Sequence, residues 1–236
     1  MTQIFAHRGH HADQAENSVA AVAAACAVGA DGVEIDVWRT RDGHLVVNHD
    51  RRVQGLSLPE TRRPELGQLR GAPPAALEEI LEAARDLRIN VEIKATRSPS
   101  YNMAVARDVA SYLDSSAKSD QCLVSSFSLE VCEAVRAASP TRPVGWLLSR
   151  QPALGALGEA RNRRLTSLHL PYARASARVL REAAESGIEI HVWTPNLERD
   201  LGAMLARGVD ALITDDVPLA RRLRERLREA HSPGPR

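Results

Sequence analysis

An α/β fold built on a parallel sheet is what this chain predicts, and three observations predict it. Short apolar runs rich in β-formers alternate with longer stretches of helical period. Eight such pairs follow one another, the pattern of repeated strand–helix units. Single α/β barrels run to about 250 residues, so 236 residues can hold all eight units in one domain. A (β/α)8 barrel results if the sheet closes on itself.

The strands read in order as "IFAH", "GVEIDV", "NVEI", "CLVSS", "VGWLL", "SLHL", "EIHVW" and "ALIT". Helices are expected to start near Ser18, Ala76, Asn102, Ser128, Ala153, Ser176, Leu197 and Val217. Ser and Asn side chains cap free backbone N–H groups, which suits them to such positions. Gly29 and Gly208 fall where a helix end needs a left-handed residue before the next strand. A short extra strand, "HLVVN", follows the turn "RDG" after strand 2, and residues 50–75 make the only long irregular segment. That excursion is expected to be a loop with one helical turn, too short for a domain of its own. Residues 1–230 are therefore expected to form one barrel domain, and 231–236 a flexible Pro/Gly tail. The arginine-rich final helix is expected to present a solvated face.

With 31 Lys plus Arg against 30 Asp plus Glu and 3% aromatic residues, the chain lacks the basic field and stacking platforms of a nucleic-acid groove. A small-molecule substrate is expected. Cys26, Cys122 and Cys132 form no CxxC pair and sit in apolar stretches, which favours reduced thiols and the cytoplasm. The longest apolar run, "VAAVAAACAV", is ten residues, about half a membrane span, so no stable membrane insertion is expected. No signal peptide is expected ahead of His7. Oligomeric state is not legible.

Functional groups of such a barrel gather at the C-terminal ends of its strands. His7 and Arg8 close the first strand, Glu34 and Asp36 lie on the second, and Glu92 and Lys94 end the third. Phe127 follows the fourth, Trp193 ends the seventh, and His49 ends the extra strand. Two residues apart on one strand, Glu34 and Asp36 point the same way, with Cα atoms about 6–7 Å apart. Together with Glu92 they would concentrate negative charge that calls for a cation. Oxygen donors alone suit one hard divalent cation, Mg²⁺ or Ca²⁺, better than Zn²⁺. Two imidazoles, His7 and His49, could divide the proton transfers of phosphodiester cleavage, each worth about 10²- to 10⁴-fold in rate. Arg8 and Lys94 could hold a phosphate, or serve only as ion-pair partners of the carboxylates. Phe127 and Trp193 are packing residues or substrate contacts. The other histidines, including His10, His11, His169 and His191, are expected to be structural, although His169, within the sixth strand, could instead point into the barrel mouth.

Taken together, "AHRG" at 6–9, "ENS" at 16–18, "GADGVEIDVWRTRDGHLVVNHD" at 29–50, "VEIK" at 91–94, "SSFS" at 125–128, "VWT" at 192–194 and "GVDALITDD" at 208–216 resemble the glycerophosphodiester phosphodiesterase family. The likeness spans essentially the whole chain. It implies a single-domain TIM barrel that hydrolyses glycerophosphodiesters to an alcohol and glycerol 3-phosphate with a divalent metal. Family roles fall on His7 and His49 as acid and base, on Glu34, Asp36 and Glu92 as metal ligands, and on Arg8 and Lys94 as phosphate contacts. The implied route is attack by a glycerol hydroxyl to give a cyclic phosphate that water opens, or direct attack by water.

Ala15 and Ser18 replace the Pro and Thr usual around the family's Glu-Asn pair, Pro195 follows "VWT", and the segment after His49 is short. Head-group preference is therefore not inherited. A phospholipase D-like activity on lysophospholipids or sphingolipids is the alternative, and it would need an apolar approach for an acyl chain. A barrel that binds a phosphate ligand without turning it over is the reading from a different class.

Overall fold

Eight parallel strands close on themselves in a computed structural model whose described residues are 1–231. They are β1 (Gln3–Ala6), β2 (Gly32–Arg39), β3 (Arg88–Ile93), β4 (Cys122–Ser126), β5 (Val144–Leu147), β6 (Ser167–Pro171), β7 (Glu189–Trp193) and β8 (Ala211–Thr214). Each pairs with its successor, and β1 pairs with both β8 and β2, which makes the ring. The eight main helices are α1 (Val19–Ala27), α2 (Leu77–Ala83), α3 (Pro99–Ser115), α4 (Leu129–Ala138), α5 (Ala153–Asn162), α6 (Ala177–Ser186), α7 (Glu198–Arg207) and α8 (Val217–His231). The expected 231–236 tail thus begins inside α8, and 232–236 lie outside the described residues. Among the described residues no helix is long and apolar enough to cross a membrane.

Strand alternation decides which side chains meet. The outward set, among them Ile4, Val33, Ile35, Ile89, Val91, Leu168, Ile190 and Leu212, is buried in the main core with the inner faces of the helices. Both faces are covered, so the alternation along these strands runs between apolar outward residues and the barrel interior, not between core and solvent. The inward set is mostly small or polar. Asn90 accepts from Ser125 Oγ at 2.8 Å, Ser167 Oγ and His169 Nε2 are 3.0 Å apart, and the rings of His169 and His191 stack at 4.4 Å. Phe5, Leu123, Ala211 and Ile213 supply a small apolar cluster inside the ring. Gly32 leaves room there for the Phe5 ring, and Gly145 for His169.

Ser18, Ser128 and Ser176 cap α1, α4 and α6 through their hydroxyls, and Gly29 and Gly208 take the left-handed φ of +73° and +70°. The third helix departs from the sequence reading. It starts at Pro99 behind an Ser98 cap, and Asn102 is buried inside it. There its amide accepts from Thr96 N at 2.8 Å and donates to Thr96 O at 3.0 Å, closing the loop after β3. Serine followed by proline at the first helical position is the stronger start signal.

The final helix presents the expected solvated face, Arg222, Glu225 and Arg226 being exposed, but two of its arginines are engaged. Arg221 donates to Val28 O at 2.8 Å, and Arg224 pairs with Asp31 and donates to Thr2 O at 3.0 Å. Two arginines thus fasten α8 to Thr2 and to the loop between α1 and β2. After β2 the chain returns antiparallel through Leu45–Val47, which pairs with Ala75–Ala76. Between them lie the hairpin Arg52–Val53/Leu56–Ser57, whose turn residues Gln54 and Gly55 both have positive φ, and a helical turn at Arg63–Leu66. Leu58 and Leu66 bury themselves against Trp38 and Val46, so the excursion carries its own small core.

Candidate active site

At the C-terminal end of β1 the chain stays bonded to the sheet through His7 N and Thr214 O, 3.0 Å, and then turns sharply. Arg8 and Gly9 take positive φ, +55° and +82°. A Cβ on Gly9 would stand 2.7 Å from Ala21, so only glycine fits against α1. The turn aims Arg8 N at Glu34 Oε2, 3.0 Å, and His7 Nδ1 at Asp215 Oδ1, 2.7 Å. A carboxylate oxygen accepts, so the proton sits on Nδ1 and Nε2 is the free nitrogen of His7. Asp215 is held in place by Asn196, which donates to its Oδ2 at 2.5 Å and accepts from its backbone N at 3.0 Å. Partial burial opposes the Asp215 charge, but bonds from His7, Asn196 and His11 outweigh it and pull its pKa down to about 2.

β2 and β3 build the acidic centre. Asp36 sits beside Glu92 in register, and Glu34, Asp36 and Glu92 are 4%, 1% and 7% exposed. Their oxygens lie within 4.8 Å of one another. Asn17 fixes Asp36 by donating to Oδ2 at 2.8 Å and accepting from its backbone N at 3.0 Å. Lys94 Nζ stands 2.6 Å from both Asp36 Oδ1 and Glu92 Oε1, and Arg8 Nε lies 3.5 Å from Asp36 Oδ2. Burial works against the Lys94 ammonium, yet Glu92 and Asp36 more than compensate and raise its pKa.

Glu34 feels the crowding of the cluster most. Burial first, then Asp36 and Glu92, push its carboxyl well above the ordinary range, and burial raises Glu92 as well. A buried all-oxygen set whose repulsion Lys94 and Arg8 leave partly unrelieved fits a hard divalent cation.

The second imidazole arrives from the excursion. Asn48 N donates to Asp36 O at 2.9 Å, which seats the residue before His49, and Trp38 Nε1 donates to His49 O at 3.4 Å. His49 Nδ1 lies 2.9 Å from Asp50 Oδ1. Across the mouth, Phe127 and Trp193 meet edge to face with centroids 5.8 Å apart. These groups line one cavity of about 170 Å³, completed by Asn90, Leu147, Thr194 and Ile213.

All nine residues singled out in the sequence, His7, Arg8, Glu34, Asp36, His49, Glu92, Lys94, Phe127 and Trp193, border that cavity. Arg8 and Lys94 stand as ion-pair partners of carboxylates, Arg8 also donating to both Glu16 oxygens at 3.0 Å. His169 lies inside the barrel, fully buried on Ser167 and His191. His11, expected to be structural, turns its Nε2 to Asp215 Oδ1 at 3.3 Å. Sequence reasoning gave no separate role to Glu16, Asn17, Asn196 or Asp215. The signals were present in "ENS" and "ITDD", polar clusters at a helix start and just past a strand end.

Residues 7–219 match the Glycerophosphoryl diester phosphodiesterase family. A glycerophosphodiester phosphodiesterase of Caldanaerobacter subterraneus subsp. tengcongensis is 28% identical over 234 residues, covering 91% of this chain and 94% of that protein. The crystal structure of a glycerophosphodiester phosphodiesterase from Thermotoga maritima is similar at 30% identity and a TM-score of 0.78, over 95% of this chain and 99% of that one. A glycerophosphodiester phosphodiesterase from Parabacteroides distasonis superposes with a TM-score of 0.86 at 25% identity, over 98% of each chain. With the match running from His7, at the end of β1, into α8, the chain belongs to the glycerophosphoryl diester phosphodiesterase family.

Proposed function

We propose that this phosphoric diester hydrolase, acting as one unit over residues 1–230, cleaves glycerophosphodiesters to an alcohol and sn-glycerol 3-phosphate. The observation that carries the reading is the arrival of two imidazoles, His7 from β1 and His49 from the excursion, at one pocket with a buried carboxylate cluster.

One imidazole takes the proton of the attacking hydroxyl and the other gives one to the departing alkoxide as the P–O bond breaks. Nδ1 of His7 is held by Asp215 and Nδ1 of His49 by Asp50, so each ring keeps Nε2 for the proton it moves. Both carboxylates stabilise the imidazolium that forms on proton uptake. Arg8 and Lys94 bring fixed positive charge to a phosphate, which requires them to share their present carboxylate partners. Glu34, Asp36 and Glu92 would hold one divalent cation, Mg²⁺ or Ca²⁺, which when bound offsets the charge developing on phosphate oxygens. Phe127 and Trp193 form the apolar wall against which the glycerol or its substituent packs.

Leu58 and Leu66 are spent on the excursion's own core, which speaks against an acyl-chain approach from that side. The unpaired Cys26, Cys122 and Cys132 support a cytoplasmic location.

The test is a panel of glycerophosphocholine, glycerophosphoethanolamine and lysophosphatidylcholine with Mg²⁺ or Ca²⁺. Glycerol 3-phosphate should appear from the first two and cease with chelator. Choline release from lysophosphatidylcholine alone would overturn the proposal.

A further inference from the structure

A second group of metal-capable side chains stands at the rim, apart from the carboxylate cluster. His7 Nδ1 and His11 Nε2 both face Asp215 Oδ1, at 2.7 and 3.3 Å, and all three ligand atoms lie within 4.8 Å of one another. Two imidazole nitrogens and one carboxylate oxygen are a donor set for a borderline cation such as Zn²⁺, which takes N at about 2.0–2.1 Å and O at about 2.0–2.2 Å. On a tetrahedron of those lengths, ligand atoms stand about 3.3 Å apart. The His11–Asp215 pair already has that spacing, and the shorter His7–Asp215 pair must open by about half an ångström to reach it.

The surroundings suit such a site. Side-chain exposures of 22%, 27% and 36% for His7, His11 and Asp215 leave an entry path from solvent. The other oxygen of Asp215 is committed to Asn196 Nδ2 at 2.5 Å, the outer support that orients a ligating carboxylate. Its Oδ1 is left to face the two imidazoles.

We infer that His7, His11 and Asp215 bind a borderline divalent cation of the Zn²⁺ type, and that its binding silences His7. A metal on Nδ1 requires the neutral ring, whose proton then sits on Nε2. That nitrogen can then neither accept a proton from a nucleophile nor give one up as an imidazolium would, and Asp215 is withdrawn from imidazolium stabilisation. The two centres therefore sort ions by donor type, oxygen-only for the hard cation and nitrogen-rich for the inhibitor. The inhibitory half rests on the role proposed for His7; the binding half does not.

Calorimetric titration of ZnCl₂ into protein saturated with Mg²⁺, repeated with Co²⁺ and followed by visible absorption, reads binding without substrate. Zn²⁺ should bind in the presence of excess Mg²⁺, and Co²⁺ should give the intense visible bands of a four-coordinate nitrogen-containing site. His11→Ala should weaken both by more than about tenfold, the lower bound for losing even an outer partner. Glu92→Gln should leave both intact. In assays, Zn²⁺ should suppress hydrolysis by the wild type, while His11→Ala should need correspondingly more Zn²⁺ to lose the same fraction of its own Mg²⁺-supported rate. Should His11→Ala fold poorly by circular dichroism, His11→Gln serves the same comparison. No Zn²⁺ binding over Mg²⁺, equal binding by the His11 variant, or binding lost in Glu92→Gln would overturn the site. A protein inactive on every glycerophosphodiester would remove the inhibitory half and leave the titration to decide the site.

Discussion

His7 Nδ1 and Asp215 Oδ1 are 2.7 Å apart although 208 positions separate them in sequence. The contact joins the C-terminal end of β1 to the loop after β8, so barrel closure itself places the imidazole. With its pKa near 2, Asp215 stays ionised throughout the working range and fixes which nitrogen of His7 is free. Asp215→Asn keeps the shape and removes the charge. It should lower kcat by about 10- to 100-fold with little change in KM, less than the about 10²- to 10⁴-fold expected for His7→Ala. Steady-state kinetics across pH checks this, and an unchanged kcat would remove Asp215 from the mechanism.

The carboxylate cluster makes a prediction that needs no substrate. A ligand that binds only the folded state stabilises it by about 2.7 kcal/mol at a hundred times its Kd. Mg²⁺ or Ca²⁺ should therefore raise Tm, and chelator should reverse the rise. Glu34→Gln removes the carboxyl that burial and its acidic neighbours push highest, and should abolish the cation-dependent rise while raising Tm in chelator. Differential scanning calorimetry decides it. An identical rise in wild type and variant would place the ion elsewhere.

Much of this pocket was legible because strand ends obey a topological rule. His7, Glu34, Asp36, Glu92 and Trp193 are polar or aromatic interruptions near the ends of apolar runs, and a closed parallel barrel brings such ends together whatever the loops do. Lys94 and Phe127 follow from the same rule one residue further on. Their supports follow no such rule. Asn17, Asn196 and Asp215 sit on separate loops, and their meeting depends on backbone turns with local causes, such as the positive φ of Asn17. The polar interior was equally hidden. In "SLHL" and "EIHVW" period-two alternation says that His169 and His191 share a side, but not that this side is a closed interior where imidazoles stack. Asn102 was misplaced because an Asn can cap a helix or a loop, and the Ser98–Pro99 pair upstream settles which.

Gly145 turns that hidden interior into a packing prediction. A Cβ there would fall 2.6 Å from Ser167 Oγ and inside contact distance of His169 Nε2, in a ring with no slack. Gly145→Ala should destabilise by about 1–3 kcal/mol, the usual cost of overpacking. Pairing it with His169→Ala should recover part of that loss, because the clash partner is gone. Urea denaturation of both single variants and the double variant measures the coupling, and strict additivity would mean that the two sites do not touch.

His169 also carries a pH dependence whose sign follows from burial. Enclosed in the barrel, with His191 stacked upon it, its pKa is held well below the ordinary 6.5. The unfolded chain therefore binds a proton at this residue that the folded chain refuses. Above about pH 6.5 both states are neutral here and nothing is lost; as pH falls below that value, the unfolded state gains and stability drops. His169→Gln removes the titrating ring, so the loss of stability between pH 7.5 and 5.5 should be smaller in the variant than in the wild type. Urea midpoints at the two pH values, compared as a difference between the two proteins, cancel what the other groups contribute. Equal losses in both would show that His169 accepts its proton without leaving the barrel.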